Sequence, residues 1–291
     1  MTNWIAYAPF YLAYDLGYYD ESNVEFSFKL DSNLRYKLFR SGDLDCVSTS
    51  INTFCREVPP FDTSVVLAIV QVQQPGSERI VAKESFRSLS DLQGATLCLV
   101  PFGLEHFYFR YFFDQAGVPF AVNLLEAKNR EEMREMFLTG KADATILYEP
   151  YIDEFNSKKG FHIIPNDADL SVIIAVLVIN RNILASKEED LRSLIEGYFK
   201  ALIFFNSSPE DALTRLMRYF RTDVKSPLQN LRDKFTGFQY IEKDKNLEIL
   251  TESKQVISKA IRESVRVWKE IGLLTSDVDP AIIIESRFVA H

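Results

Sequence analysis

The chain is poor in the residues that tie a fold together covalently or through a metal. Its 291 residues include three cysteines and three histidines. Cys46, Cys55 and Cys98 show no C-x-x-C spacing, and an odd count completes no disulfide framework. Buried free thiols are therefore expected, and a structural zinc site is not. No uninterrupted apolar run reaches the roughly 18 residues of a membrane span. Positive charge is also scarce: Lys and Arg total 33 against 41 Asp and Glu, a net charge of −8. That balance leaves no basic footprint for nucleic acid and argues against an anionic membrane surface. No G-x-S-x-G, H-E-x-x-H, P-loop or G-x-G-x-x-G motif is present. Neither an internal repeat nor a low-complexity tract nor a Gly/Ser linker interrupts the chain.

Hydrophobic residues make up 47% and charged residues 25%, as in an ordinary globular protein long enough for two lobes. Aromatics are plentiful, with 23 Phe and 13 Tyr. Strand-like and helix-like segments alternate from the start. Val24–Leu30 reads as a strand, Asn33–Arg40 as a helix, Asp45–Ser48 as a short strand and Ile51–Val58 as a helix capped by Ser50. Ser64–Val72 reads as a long β-branched strand. A second series begins near residue 80. Ser88 and Asp91 have capping spacing, Ala95–Val100 is a buried strand, and Glu105–Ala116 is a helix. Val122–Leu125 is a strand, Asn129–Leu138 a helix with Asn129 and Glu132 in capping-box spacing, and Ala142–Tyr148 and Val172–Ile179 are strands. Such alternation predicts crossover units and a parallel sheet. Beyond Lys187 the pattern changes to long helices at 188–205, 209–219 and 246–273. With no linker, two lobes must be joined by strands, and Arg79–Lys83 and Ile174–Arg181 are the two candidate crossings. Paired crossings make a hinge and a closing cleft.

The opening segment carries the densest signal. Trp4 and Tyr7 stand in an aromatic loop that runs into a helix. Pro9 lies in its first turn and Gly17 after its end. Their rings either stack on a bound molecule or fill the core. The pattern W-x-x-Y-x-P-x-Y-L-A-x-x-x-G-Y resembles the opening of the nitrate/sulfonate/taurine and thiamine-pyrimidine class of ABC-transporter solute-binding proteins. Phe39-Arg-Ser-Gly-Asp-Leu-Asp is similar to that class's L-x-x-G-x-x-D segment, with Phe39 in the Leu position. Ser88-Leu-Ser-Asp-Leu-Gln-Gly is similar to its S-L-x-D-L-x-G. Leu138-Thr-Gly-Lys-Ala-Asp-Ala followed by Tyr148-Glu-Pro is similar to its G-x-x-D-A and E-P elements. A matching tail stands at Ser286-Arg-Phe, so the resemblance spans nearly the whole chain.

The resemblance implies a two-lobed α/β fold of the periplasmic-binding-protein type, with a ligand cleft between lobes and a helical C-terminal part. Lobe I is expected at 1–79 and 177–291, lobe II at 80–176. It further implies an extracytoplasmic protein, periplasmic or lipid-anchored, that takes a small-molecule ligand and a membrane permease as partners. No cofactor, no catalysis and a monomer are expected. No signal peptide is read. The class's first strand should precede Trp4, where only three residues stand, so the chain reads as trimmed or excised from a longer protein.

Several loops are candidates for the cleft. Ser48 and Thr49 follow a short strand and offer hydroxyls, which could equally serve the following helix. Gln73 and Gln74 end the long strand with amide donors and acceptors, or form a solvated turn with Pro75. Phe102, Gly103, Glu105 and His106 lie at a strand-to-helix junction, where free amides favour an anion or a polar acceptor. The resemblance makes this a ligand loop; alone it reads as an ordinary turn. Glu105 satisfies the same dipole and disfavours a sulfonate, nitrate or sulfate. Tyr148, Glu149 and Tyr151 close the last inward strand of lobe II. The ligand expected is aromatic or heterocyclic, a thiamine-precursor pyrimidine or a flavin-like molecule. Three alternatives remain. One is a same-fold enzyme acting on a heterocycle or chorismate-type acid, although the cysteine-rich C-C-C-F-C motif of the fungal pyrimidine synthase is missing. The others are a ligand-sensing domain of a receptor and a sulfonate or nitrate binder.

Overall fold

The computed structural model describes residues 5–28, 32–57, 64–72, 78–148, 158–165, 170–220, 240–251, 254–277 and 284–290, with 152, 155, 168, 235 and 238 standing singly. Trp4, Gln73, Gln74, Glu149 and Tyr151 lie outside these residues, as do Leu30 and Val58. The fold is mixed α/β and its contacts divide the chain into two units. One comprises Met1–Val72, Val172–Glu263 and Ser276–His291; the other comprises Gln73–Ser171 and Ser264–Thr275. The division places 172–176 with the first unit and 73–79 and 264–275 with the second. Among the described residues, no helix is long and apolar enough to cross a membrane.

In the first unit, α1 (Ala8–Asp15) is buried almost all round, from Ala8 to Ala13. Pro9 sits in its first turn, where no intrahelical amide is needed. Tyr11 stacks on Phe28 at 4.4 Å and meets Tyr219 and Phe220. The segment expected as a strand from Val24 alternates half-buried and exposed residues through Phe28 but belongs to no sheet. Its half-buried rings instead join the aromatic layer over α1: Phe26 and Phe28 stack on each other at 5.4 Å and both contact Tyr14. Helix α2 (Ser32–Ser41), strand β1 (Cys46–Ser50), helix α3 (Ile51–Glu57) and strand β2 (Ser64–Val72) follow the expected order.

The parallel sheet expected here is not what forms. Strand β8 (Ile174–Asn180) returns late in the chain and inserts between β1 and β2, antiparallel to both. Its residues from Ile174 to Ile179 are all buried, which is the pattern of a central strand. β1 and β2 thus never touch as ladder partners; each pairs with the strand that separates them. Helices α6 (Glu188–Ser207) and α7 (Pro209–Phe220) open on acidic residues that suit a helix start.

The second unit carries a five-stranded sheet in the order β5-β4-β6-β3-β7, with β3 Glu78–Lys83, β4 Thr96–Leu99, β5 Asn123–Glu126, β6 Ala144–Tyr148 and β7 Phe161–Ile164. β4 runs parallel to β5 and β6, as the alternation predicts; β3 is antiparallel to β6 and β7. Helices α4 (Leu104–Gln115) and α5 (Arg130–Leu138) follow β4 and β5. The Asn129 side chain accepts from the Glu132 amide at 2.8 Å, and the Glu132 carboxylate accepts from the Lys128 amide at 2.7 Å. Ser88 and Asp91 make the reciprocal pair that their spacing predicts.

Of the C-terminal helix expected over 246–273, the described residues are helical in α8 (Lys243–Thr251) and α9 (Lys254–Glu270); 252 and 253 lie outside them. After Glu270, the Gly272 and Leu273 amides fold back onto the Lys269 and Trp268 carbonyls and end the helix. The end of α9 belongs to the second unit for a physical reason. Trp268, 1% exposed, packs on Phe107 of α4 at 5.5 Å. Arg110 and Asp114 of α4 also exchange ion pairs with Glu270 and Arg266.

Candidate functional site

In the second unit, three parallel strands point their C-terminal ends at one edge of the sheet. That edge is where α/β proteins hold ligands. β4 ends in buried Leu99 and gives way to the Pro101–Gly103 turn. Phe102 takes φ +57°, a backbone state that costs a side-chain-bearing residue about 1 kcal/mol or more. The ring it carries is 44% exposed. Gly103 then caps α4 without a side-chain hydrogen bond. A Cβ at this position would come within 2.6 Å of Glu105 Oε2 and 2.9 Å of the Val100 carbonyl oxygen, so the turn requires glycine. The first amides of α4 have no carbonyl one turn earlier to bond.

Glu105 is 4% exposed, and Arg130 Nε at the start of α5 donates to its carboxylate. The pair ties the two helix starts together. It also changes the electrostatics expected of this loop, because the acid is neutralised within its own unit. Sequence reasoning missed Arg130. A cation at a helix start opposes the dipole, and here it meets a buried carboxylate 25 residues away. His106 is 9% exposed, lies 6.0 Å from the Phe102 ring at 27°, and has no hydrogen-bond partner at Nδ1 among the described residues. Burial lowers its pKa; Glu126 opposes that shift and Arg110 adds to it. The free imidazole is therefore neutral at pH 7. Tyr148 ends β6 with its backbone in register with Glu78.

In the first unit, the expected residues form a closed cluster. Tyr7 is 3% exposed and its hydroxyl donates to the Thr49 carbonyl at 2.9 Å. Burial, with Tyr36 nearby, pushes its pKa far up, so the phenol stays protonated. Ser48 and Thr49 are both buried, and the Thr49 hydroxyl is bonded to that of Tyr36. Ser50 caps α3 by accepting from the Thr53 amide at 3.3 Å. Arg35, also buried, sets its guanidinium 5.0 Å from the Tyr36 ring centre.

Solved structures with this architecture include the periplasmic aliphatic sulphonate binding protein SsuA from Escherichia coli. It has a TM-score of 0.75 and 16% identity over 98% of this chain and 90% of that one. The Candida albicans CA3427 gene product, described as having the generic periplasmic binding protein structural fold, has a TM-score of 0.73 and 12% identity over 98% and 94%. The DSZB C27S mutant in complex with biphenyl-2-sulfinic acid has a TM-score of 0.66 and 10% identity over 97% and 94%. These likenesses establish the periplasmic-binding-protein fold. No curated protein sequence matches the chain. The NMT1/THI5 like family matches residues 4–212, and the chain belongs to that family.

Proposed function

We infer that this protein is the extracytoplasmic solute-binding component of an ABC importer. It captures a small aromatic or heterocyclic molecule, of the thiamine-precursor pyrimidine or flavin-like kind, and hands it unchanged to a membrane permease. The carrying observation is the start of α4, where an exposed Phe102 ring adjoins helix amides that lack intrahelical partners. The ring offers a stacking face and the amides take an acceptor group on the same ligand. Family membership and the sulphonate-binding SsuA structure support a binder. The protein acts as a monomer and needs no nucleic acid.

The pairing of Glu105 with Arg130 favours a second reading. With the acid neutralised, the loop no longer repels a sulfonate, so an anionic ligand competes with a neutral heterocycle. DSZB, which shares the fold, keeps an enzymatic reading in the test. Native mass spectrometry of the gently purified protein, followed by a thermal-shift panel of pyrimidines, flavins, sulfonates and nitrate, decides among them. A ligand at 100 times its Kd stabilises by about 2.7 kcal/mol. A heterocycle that stabilises the protein and is recovered intact after long incubation supports the reading. Stabilisation by sulfonates alone selects the second. Conversion of the bound molecule overturns the binder.

A further inference from the structure

A helical side chain lies over the turn N-terminal to its own Cα. His106, the third residue of α4, therefore directs its ring at the Pro101–Gly103 turn, as its contact with Phe102 shows. A buried ring nitrogen without a partner costs about 1–3 kcal/mol. Nδ1 of His106 is in that state, at the helix start whose amides lack intrahelical partners.

Glu126 and Arg110 bear on its protonation in opposite senses. On α4, Glu105 is engaged by Arg130 of α5, and Arg110 is shared between Asp114 and Glu270. From β5 comes Glu126, whose charge favours the imidazolium. Burial keeps the free imidazole uncharged, and an anion arriving beside it would reverse that preference.

We propose that His106 takes up a proton when an anionic oxo group docks on the first turn of α4, so that the Pro101–His106 loop holds a ring-bearing anion more tightly as pH falls. The ring of such a ligand rests on Phe102 and its anionic oxygens accept from the helix amides and from imidazolium Nδ1–H. The proposal rests on the solute-capture reading in its second, anionic form and names the group that discriminates that charge.

Calorimetry of the full chain with benzenesulfonate, which stays a monoanion throughout, tests it at pH 5.5, 6.5 and 8.0. Phenyl phosphate distinguishes a phosphoryl source from a sulfonyl one. One proton taken up makes affinity fall about tenfold per pH unit between the free and bound imidazole pKa values. In two buffers of different ionisation heat at pH 6.5, the observed binding heat should differ, and this readout needs no mutation. His106→Gln, which supplies an amide N–H donor but cannot titrate, should bind benzenesulfonate with a flat pH profile. Affinity for both anions that is independent of pH, equal heats in the two buffers, or an unchanged slope in His106→Gln overturns the proposal. Failure of both anions to bind also overturns it. Riboflavin as a neutral probe then separates the two levels: if it binds, solute capture survives without the proton-linked anion site, and if it does not, both fall.

Discussion

The two clusters built from the expected site residues differ in how their polar groups are used. In the first unit, Tyr7, Thr49 and Tyr36 bond to one another and are sealed from solvent. In the second, Phe102 is held out in a left-handed conformation and His106 keeps a buried nitrogen unbonded. A sealed cluster contributes rigidity. A turn that carries backbone strain and an unpaired acceptor costs stability in the unliganded protein, and such costs collect at binding sites. If the second cluster holds ligand, the two serve opposite purposes, and the test is which kind of damage a substitution does.

The largest effect is expected from Tyr7→Ala. Removing a buried aromatic should cost about 3–5 kcal/mol, read as a lower urea midpoint. If stability holds and only ligand affinity falls, the sealed cluster is a ligand face and the contrast collapses. Arg130→Ala comes next. It leaves the buried Glu105 carboxylate uncompensated, and because Arg130 is itself half exposed the loss is discounted to about 1–2 kcal/mol. Affinity for benzenesulfonate should fall in the same variant, since the acid then repels it; equal affinity would remove Glu105 from the site.

Acid sharpens the comparison from the stability side. Burial alone would raise the Asp143 pKa. Hydrogen bonds from Lys83 Nζ at 2.8 Å and the Thr96 amide at 2.9 Å outweigh it and lower the value. A depressed folded value contributes stability that is fully present above the ordinary carboxylate pKa and is lost as pH falls through the folded one. Unfolding midpoints should thus drop on acidification below about pH 4, and less so in Asp143→Asn. The smallest stability effect belongs to Phe102→Ala. The exposed ring supports little packing, so the apo stability should stay within about 0.5 kcal/mol of the parent. Affinity for a ring-bearing ligand should nevertheless fall. Unchanged affinity would deny the loop its stacking role.

What the sequence disclosed was local. Ser50, Ser88 with Asp91, and Asn129 with Glu132 announced helix starts, because each cap is satisfied within three or four residues. The alternation of strands and helices announced the parallel β4, β5 and β6 for the same reason. What it concealed was settled at long range. No feature of β1 or β2 says that a strand more than 100 residues later divides them. The alternation at Val24–Phe28 matches a strand equally well, yet its rings are spent on α1. In the site, Gly103 and His106 were legible as a strand-to-helix junction. The partner of Glu105 was not, because Arg130 belongs to the next strand–helix unit.

The chain is made from its N-terminus, and that order sets a delay within the second unit. Phe107 leaves the ribosome about 160 residues before Trp268, the ring that covers it. At roughly 5–20 residues per second the gap lasts on the order of ten seconds. For that time the sheet of Gln73–Ser171 can pair, but one side of its phenylalanine-rich helix stays uncovered. The nascent protein is thus most prone to aggregate late in synthesis, and arrest just before Trp268 would leave a species with a nearly finished sheet and an open aromatic face.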